Sequence, residues 1–120
     1  MADDFREMKK VYRPITYICS PYSGDTEGNV FRAKVYSRFA LEQGCIPVAP
    51  HLLFPQFMDD GNEEERNLAL YMDKVLLAKS DEMWVFGSRI SSGMEKEIRK
   101  AKMLGKRIRF FDEALKEVVK

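Results

Sequence analysis

Residues 82–105, Glu82-Met-Trp-Val-Phe-Gly87-Ser-Arg-Ile-Ser91-Ser-Gly93-Met-Glu-Lys-Glu97-Ile-Arg-Lys-Ala101-Lys-Met-Leu-Gly105, run from strand to helix in one unit. The opening run, 82–87, is short, apolar and aromatic, as a buried strand is, and breaks at a glycine into a polar turn. From Ser91 to Leu104 apolar residues recur at helical spacing, a serine stands where an N-cap belongs, and Gly105 supplies the stop. Arg107 to Phe111 then reads as a further strand. Strand, helix and strand in that order make a right-handed crossover and hence a parallel sheet.

The same alternation extends outward on the N-terminal side. Ile15 to Cys19 reads as a strand that stops at Pro21 and opens into a polar loop, 22–29. Val30 to Gln43 reads as a helix ended by Gly44, Ile46 to Ala49 as a second strand, and 50–61 as a long aromatic-bearing loop of the kind that binds ligands. Glu63 to Lys79 reads as a helix with acidic residues in its first turn, and 113–120 as a short closing helix. The expected architecture is one α/β domain over residues 1–120, with four parallel strands in the order 2-1-3-4, helices on both faces, and a Rossmann- or flavodoxin-like plan. Residues 1–14, carrying Phe5, Met8, Val11 and Tyr12 among charges, read as a loose arm or as a short amphipathic helix on a partner subunit.

Composition narrows the function. The 120 residues are 45% hydrophobic, enough for one core, and 20 Lys plus Arg balance 19 Asp plus Glu. A net charge of +1 gives no field to draw the chain onto a nucleic-acid polymer or an acidic membrane. Cys19 and Cys45 lack zinc-site spacing and read as reduced core thiols. His51 is the sole histidine, which excludes any site needing two imidazoles. The acidic residues Asp59, Asp60 and Glu63 to Glu65 read as a solvated loop and helix start, so neither a metal nor another cofactor is expected. With no apolar leader core and no run of about 18 apolar residues, the protein is expected to be cytoplasmic.

Two carboxylates stand out on helical wheels. Around 91–104 the stripe Met94, Ile98, Ala101 and Leu104 contains Glu97, whereas Glu95, Lys96, Arg99, Lys100 and Lys102 lie outside it. In 63–79, Asp73 falls between Ala69 and Leu76 on one side and Leu70 and Leu77 on the other. An inward carboxylate is costly without a partner, so each is a rim or ion-pair residue, or a functional one. A converging pair in which one stays ionised while the other holds a proton is the arrangement that cleaves glycosidic bonds. Ser91, Ser92 and Gly93 place hydroxyls and free N–H groups at a helix N-terminus, either as an ordinary cap or for an anion. Pro21-Tyr22-Ser23-Gly24 is a tight turn that matches no standard phosphate-loop pattern.

Taken together, Tyr17-Ile18-Cys19, Asp73 eight residues before Asp81, and Ser91-x-Gly93-x-x-x-Glu97-x-x-x-Ala101-x-x-x-Gly105-Lys106 resemble the nucleoside 2-deoxyribosyltransferases and the related 2′-deoxynucleoside 5′-phosphate N-hydrolases. The likeness runs from about residue 15 to 111. The segments Pro21 to Gly24 and Ser91 to Met94 resemble more closely still a group of uncharacterised, often phage-associated domains beside that family. The resemblance implies that Glu97 attacks or stabilises the anomeric carbon, that Asp73 serves the departing base as acid, and that Tyr17 holds Glu97 through its phenol. It implies a substrate site formed by Ser91, Ser92, Gly93, Ser20, Tyr22, Ser23, Gly24 and His51, with Ser91 at a 5′-phosphate and His51 near the base. The hydrolases carry an arginine in the first loop where this chain has Ser23, and segments that complete neighbouring subunits' sites are short here.

The expected ligand is therefore a nucleoside or nucleotide, and the expected activity is N-glycosidic hydrolysis or deoxyribosyl transfer, in a homodimer or higher homo-oligomer. The alternative is a module that senses or sequesters a nucleotide-derived ligand without catalysis. A purely structural domain would instead leave Glu97 and Asp73 paired with surface cations and no cleft between them.

Overall fold

In the computed structural model, which describes residues 11–120, strands and helices alternate as the hydrophobic pattern requires. The order is β1 (Ile15–Cys19), α1 (Thr26–Glu42), β2 (Ile46–Val48), α2 (Glu63–Lys79), β3 (Glu82–Phe86), α3 (Ser92–Met103), β4 (Arg107–Phe111) and β5 (Glu117–Val118). Two short 3₁₀ turns, Pro50–Leu52 and Phe54–Gln56, punctuate the loop after β2. The sheet runs β2-β1-β3-β4-β5, parallel through its first four strands, with Thr16 opposite both Pro47 and Glu82.

β1 is an interior strand, paired with β2 and β3, and its alternation divides the core. Tyr17 and Cys19 face one side with Met83, Val85, Leu77 of α2, and Met94, Ile98 and Ala101 of α3. Ile18 faces the other with Trp84, Phe86, Phe111 and with Tyr36 and Ala40 of α1. Helices therefore cover both faces, and the aromatic stack of Tyr36, Phe86 and Phe111, with centroids 4.4 and 5.1 Å apart, fills the α1 layer.

Two of the three crossover helices end in the same cap. After α1, Cys45 N–H donates to Ala40 O (3.0 Å) and Gly44 N–H to Leu41 O (3.0 Å); after α3, Lys106 N–H donates to Ala101 O (2.9 Å) and Gly105 N–H to Lys102 O (3.1 Å). This doubled pattern needs a left-handed residue, and Gly44 (φ +91°) and Gly105 (φ +71°) supply it without a Cβ penalty.

Three expectations are corrected. α1 begins at Thr26 rather than Val30, because Asp25 caps it through the Gly28 N–H and so admits four polar residues to its first turn. Residues 113–120 form no helix: the Asp112 carboxylate accepts from the N–H groups of Ala114 and Lys116, Leu115 turns the chain at φ +66°, and β5 returns antiparallel to β4. Arg109 fastens that return with two hydrogen bonds to Glu117, 2.9 and 2.6 Å, so the sheet has five strands and not four. Of the arm expected at 1–14, residues 1–10 lie outside the described residues; at its end Tyr12 Oη donates to Asp81 Oδ2 (2.7 Å). Among the described residues, no helix is long and apolar enough to cross a membrane.

Candidate active site

The carboxyl ends of β1, β2 and β3 open into a cleft of about 480 Å³, walled by α2 and the first turns of α3. Because α3 turns Met94, Ile98 and Ala101 onto the sheet, Glu97 comes with them over the β1 residues of the same face. There Tyr17 Oη donates to Glu97 Oε2 at 2.6 Å and Cys19 Sγ donates to Oε1 at 3.4 Å. Burial pushes the Tyr17 phenol and the Cys19 thiol upward, reinforced by the charge of Glu97, so both remain protonated donors. Burial is the largest influence on Glu97 and raises its pKa, with the hydrogen bonds from Tyr17 and Cys19 opposing it in part.

Asp73 reaches the same cleft from α2. Its Oδ1 is buried with no hydrogen-bond partner among the described residues, and burial, followed by repulsion from Glu97, pushes its pKa up to about 7. Among the described residues neither carboxylate is in an ion pair. The cleft therefore holds two raised carboxyl groups in unlike surroundings, Glu97 with a donor on each oxygen and Asp73 with a bare buried Oδ1 and the charge of Glu97 against it.

The remaining expected residues assemble around this pair. Ser91 caps α3 through the Met94 N–H (3.2 Å), and Ser91, Ser92 and Gly93 line the cleft at the helix N-terminus. Ser20 is 2% exposed, lines the floor, and has a hydroxyl without a partner. Its carbonyl lies 3.0 Å from His51 Nε2. A carbonyl only accepts, so Nε2 carries the proton, and burial, opposed by that hydrogen bond, lowers the ring's pKa and leaves it neutral. The His51 ring stacks on Tyr22 at 4.9 Å, and Asn29 Nδ2 fixes the first loop by donating to the carbonyls of Tyr22 and Ser23, 3.0 Å each. Tyr22 and Ser23 line the cleft, whereas Gly24 does not; at φ +95° it serves the turn that leads into α1.

Cys19 is the buried, reduced core thiol expected, on the face of Tyr17 by strand alternation, and its contact with Glu97 is what the sequence did not disclose. Some cleft residues escaped the sequence reading. Phe54 and Met58, from the long loop, close the apolar side, and Arg66, Lys74, Lys96 and Lys100 line the helical wall; on a wheel these cations look like a solvated face. The acidic run builds the entry to α2, as expected of a loop and helix start: Asn62 caps the Glu65 N–H (3.0 Å) while Glu65 Oε1 accepts from the Asp59 N–H (2.7 Å), and Asp59, Asp60 and Glu65 also line the cleft. Among the described residues no three His, Cys, Asp or Glu side chains gather as a metal site.

Comparison with known proteins agrees with this architecture. The model of the family described as "Domain of unknown function (DUF7768)" matches residues 14–111. No curated protein matches significantly by sequence. Among solved structures, a 2-deoxyribosyltransferase from the psychrotolerant bacterium Bacillus psychrosaccharolyticus superposes with a TM-score of 0.65 at 19% identity, covering 88% of this chain and 77% of that one. The fold is nucleoside 2-deoxyribosyltransferase-like.

Proposed function

The chain belongs to the DUF7768 family, and we propose that its cleft binds a nucleoside or nucleotide and cleaves the N-glycosidic bond, passing the sugar to water or to an acceptor base. The observation that carries this reading is the unlike pair: Glu97 with a donor on each oxygen, from Tyr17 and Cys19, and Asp73 holding a proton up to about 7 in the same cleft. The C1′–N bond breaks with its electron pair leaving on the base, and Asp73 gives that base its proton. Glu97 meets the electron-poor C1′ through a carboxylate oxygen, as a bond or as the counter-charge of an oxocarbenium ion. Water or the acceptor then takes C1′, and Asp73, now ionised, receives the incoming proton. Tyr17 orients Glu97. Ser91, Ser92, Gly93 and the first-loop residues Ser20, Tyr22 and Ser23 hold the sugar end, and His51 borders the base.

The test is release of free base from a panel of nucleosides and 5′-nucleotides, followed by chromatography. Glu97→Gln should stay folded and abolish release, and Asp73→Asn should lower kcat least for bases that leave easily. Wild-type activity should fall as pH rises through about 7, where Asp73 loses its proton. Ligand binding by calorimetry without any base release would make the cleft a sequestering site, and full activity in Glu97→Gln would remove it from the chemistry.

A further inference from the structure

Glu97 receives a donor on each of its oxygens, and only one of the two is a phenol. The terminal torsion of a glutamate is broad, so a carboxylate gripped at one oxygen still swivels about its own axis. The Tyr17 bond at 2.6 Å holds Oε2; what stops the swivel is the group at Oε1, the Cys19 sulfur, 3.4 Å away. That sulfur is wholly buried, at the end of β1, and its other acceptor, the Met94 carbonyl, is more distant at 3.9 Å. A neutral thiol has a single hydrogen to give, and the nearer, charged oxygen takes it.

We propose that Cys19 is a positioning residue, its thiol fixing the plane of the Glu97 carboxylate, a role that rests on the glycosidic reading of the cleft. Reach explains why sulfur stands there: serine's shorter C–O bond would draw the hydroxyl back from an oxygen already 3.4 Å off, and alanine would offer no hydrogen at all. The other groups set against Glu97 are Tyr17 on the same strand and Asp73 on α2, with Lys96 and Lys100 along its own helix at the cleft wall. None of these changes when Cys19 is replaced.

The experiment follows Glu97 directly, by carbon NMR of protein labelled at glutamate carboxyls, assigned with Glu97→Gln. In Cys19→Ala the Glu97 midpoint should rise by about half a pH unit, with kcat down about threefold and KM nearly unchanged, as suits loss of one weak donor. Cys19→Ser should recover part of both, and Cys45→Ala, which removes a buried thiol from the opposite layer, should move neither. An unchanged midpoint in folded Cys19→Ala, or serine and alanine behaving alike, overturns the proposal. A second reading needs no change at residue 19. With Cys45 replaced, Cys19 is the only thiol, and its infrared S–H stretch should lie below the free-thiol frequency and rise in Glu97→Gln; a free-thiol frequency in the parent overturns the proposal. Absence of base release in the wild type would sink the glycosidic reading while the midpoint and the stretch still decide whether the thiol grips Glu97.

Discussion

Asp73 is held where ionisation is unfavourable, so the fold should gain stability when it is replaced by asparagine, and gain more as the solution becomes alkaline. The folded protein binds the Asp73 proton with a pKa of about 7, against an ordinary 3.8. A raised carboxylate pKa contributes stability that is fully present below about pH 3.8, declines from there to about 7, and is gone above it. At 1.36 kcal/mol per pH unit the full difference is about 4 kcal/mol. Asp73 is only half-buried, and part of the effect is repulsion from Glu97, so solvent screening reduces this to about 2 kcal/mol. Asparagine keeps the shape and cannot ionise. For a domain of this size about 4 °C of Tm accompanies each kcal/mol. Asp73→Asn should therefore melt about 8 °C above wild type at pH 8.5, narrowing to about 3 °C at pH 5, in paired calorimetric scans. Parallel pH profiles for the two proteins, or a variant less stable at pH 8.5, would refute the placement of Asp73 in a desolvated, like-charged position.

Two further outcomes follow from the caps and from the exposed surface. Gly105→Ala meets no atom within 4 Å and still imposes φ +71° on a side chain, so it should cost about 1–2 kcal/mol of backbone strain alone; chemical denaturation would measure it, and a neutral result would mean the cap is not left-handed in solution. We propose that two copies associate through exposed apolar residues such as Phe57 and Tyr71, 69% and 64% exposed; light scattering at micromolar concentration should give about twice 14.0 kDa, and a monomer would count against it.

How far the sequence discloses this molecule depends on the range of the interaction involved. The caps at Gly44 and Gly105 are local, made by residues within five of each other, and so could be read directly. α2 was legible in full for the same reason. The start of α1 was not, because Gly28 and Asn29 look like loop until the Asp25 carboxylate is seen to cap the Gly28 N–H. β5 was hidden more deeply: a leucine at φ +66° and a side chain that organises its own turn leave no pattern in hydrophobicity. At the cleft, the wheels brought out Glu97 and Asp73 as inward carboxylates, which is a statement about one helix at a time. That Glu97 meets Tyr17 and Cys19, 80 and 78 residues away, depends on the packing of α3 across β1, and no local signal carries that. The cations of the cleft wall were invisible for the opposite reason, since a lysine beside a cleft and a lysine beside bulk water occupy the same arc of a wheel.

Pro47, in the middle of β2, bears on what the sheet can do next to other sheets. Ile46 N–H points inward, to the Pro14 carbonyl at 2.8 Å, so by strand alternation the backbone nitrogen of residue 47 points outward, and being proline it has no hydrogen. A strand arriving at that margin finds no donor at the centre of a three-residue template. At the far margin β5 offers only Glu117 and Val118, the glutamate already engaged by Arg109. Both borders are thus poor seeds for the lateral zippering that leads to fibrils. Copies of this chain that come together are left to do so through surfaces other than the two borders of the sheet.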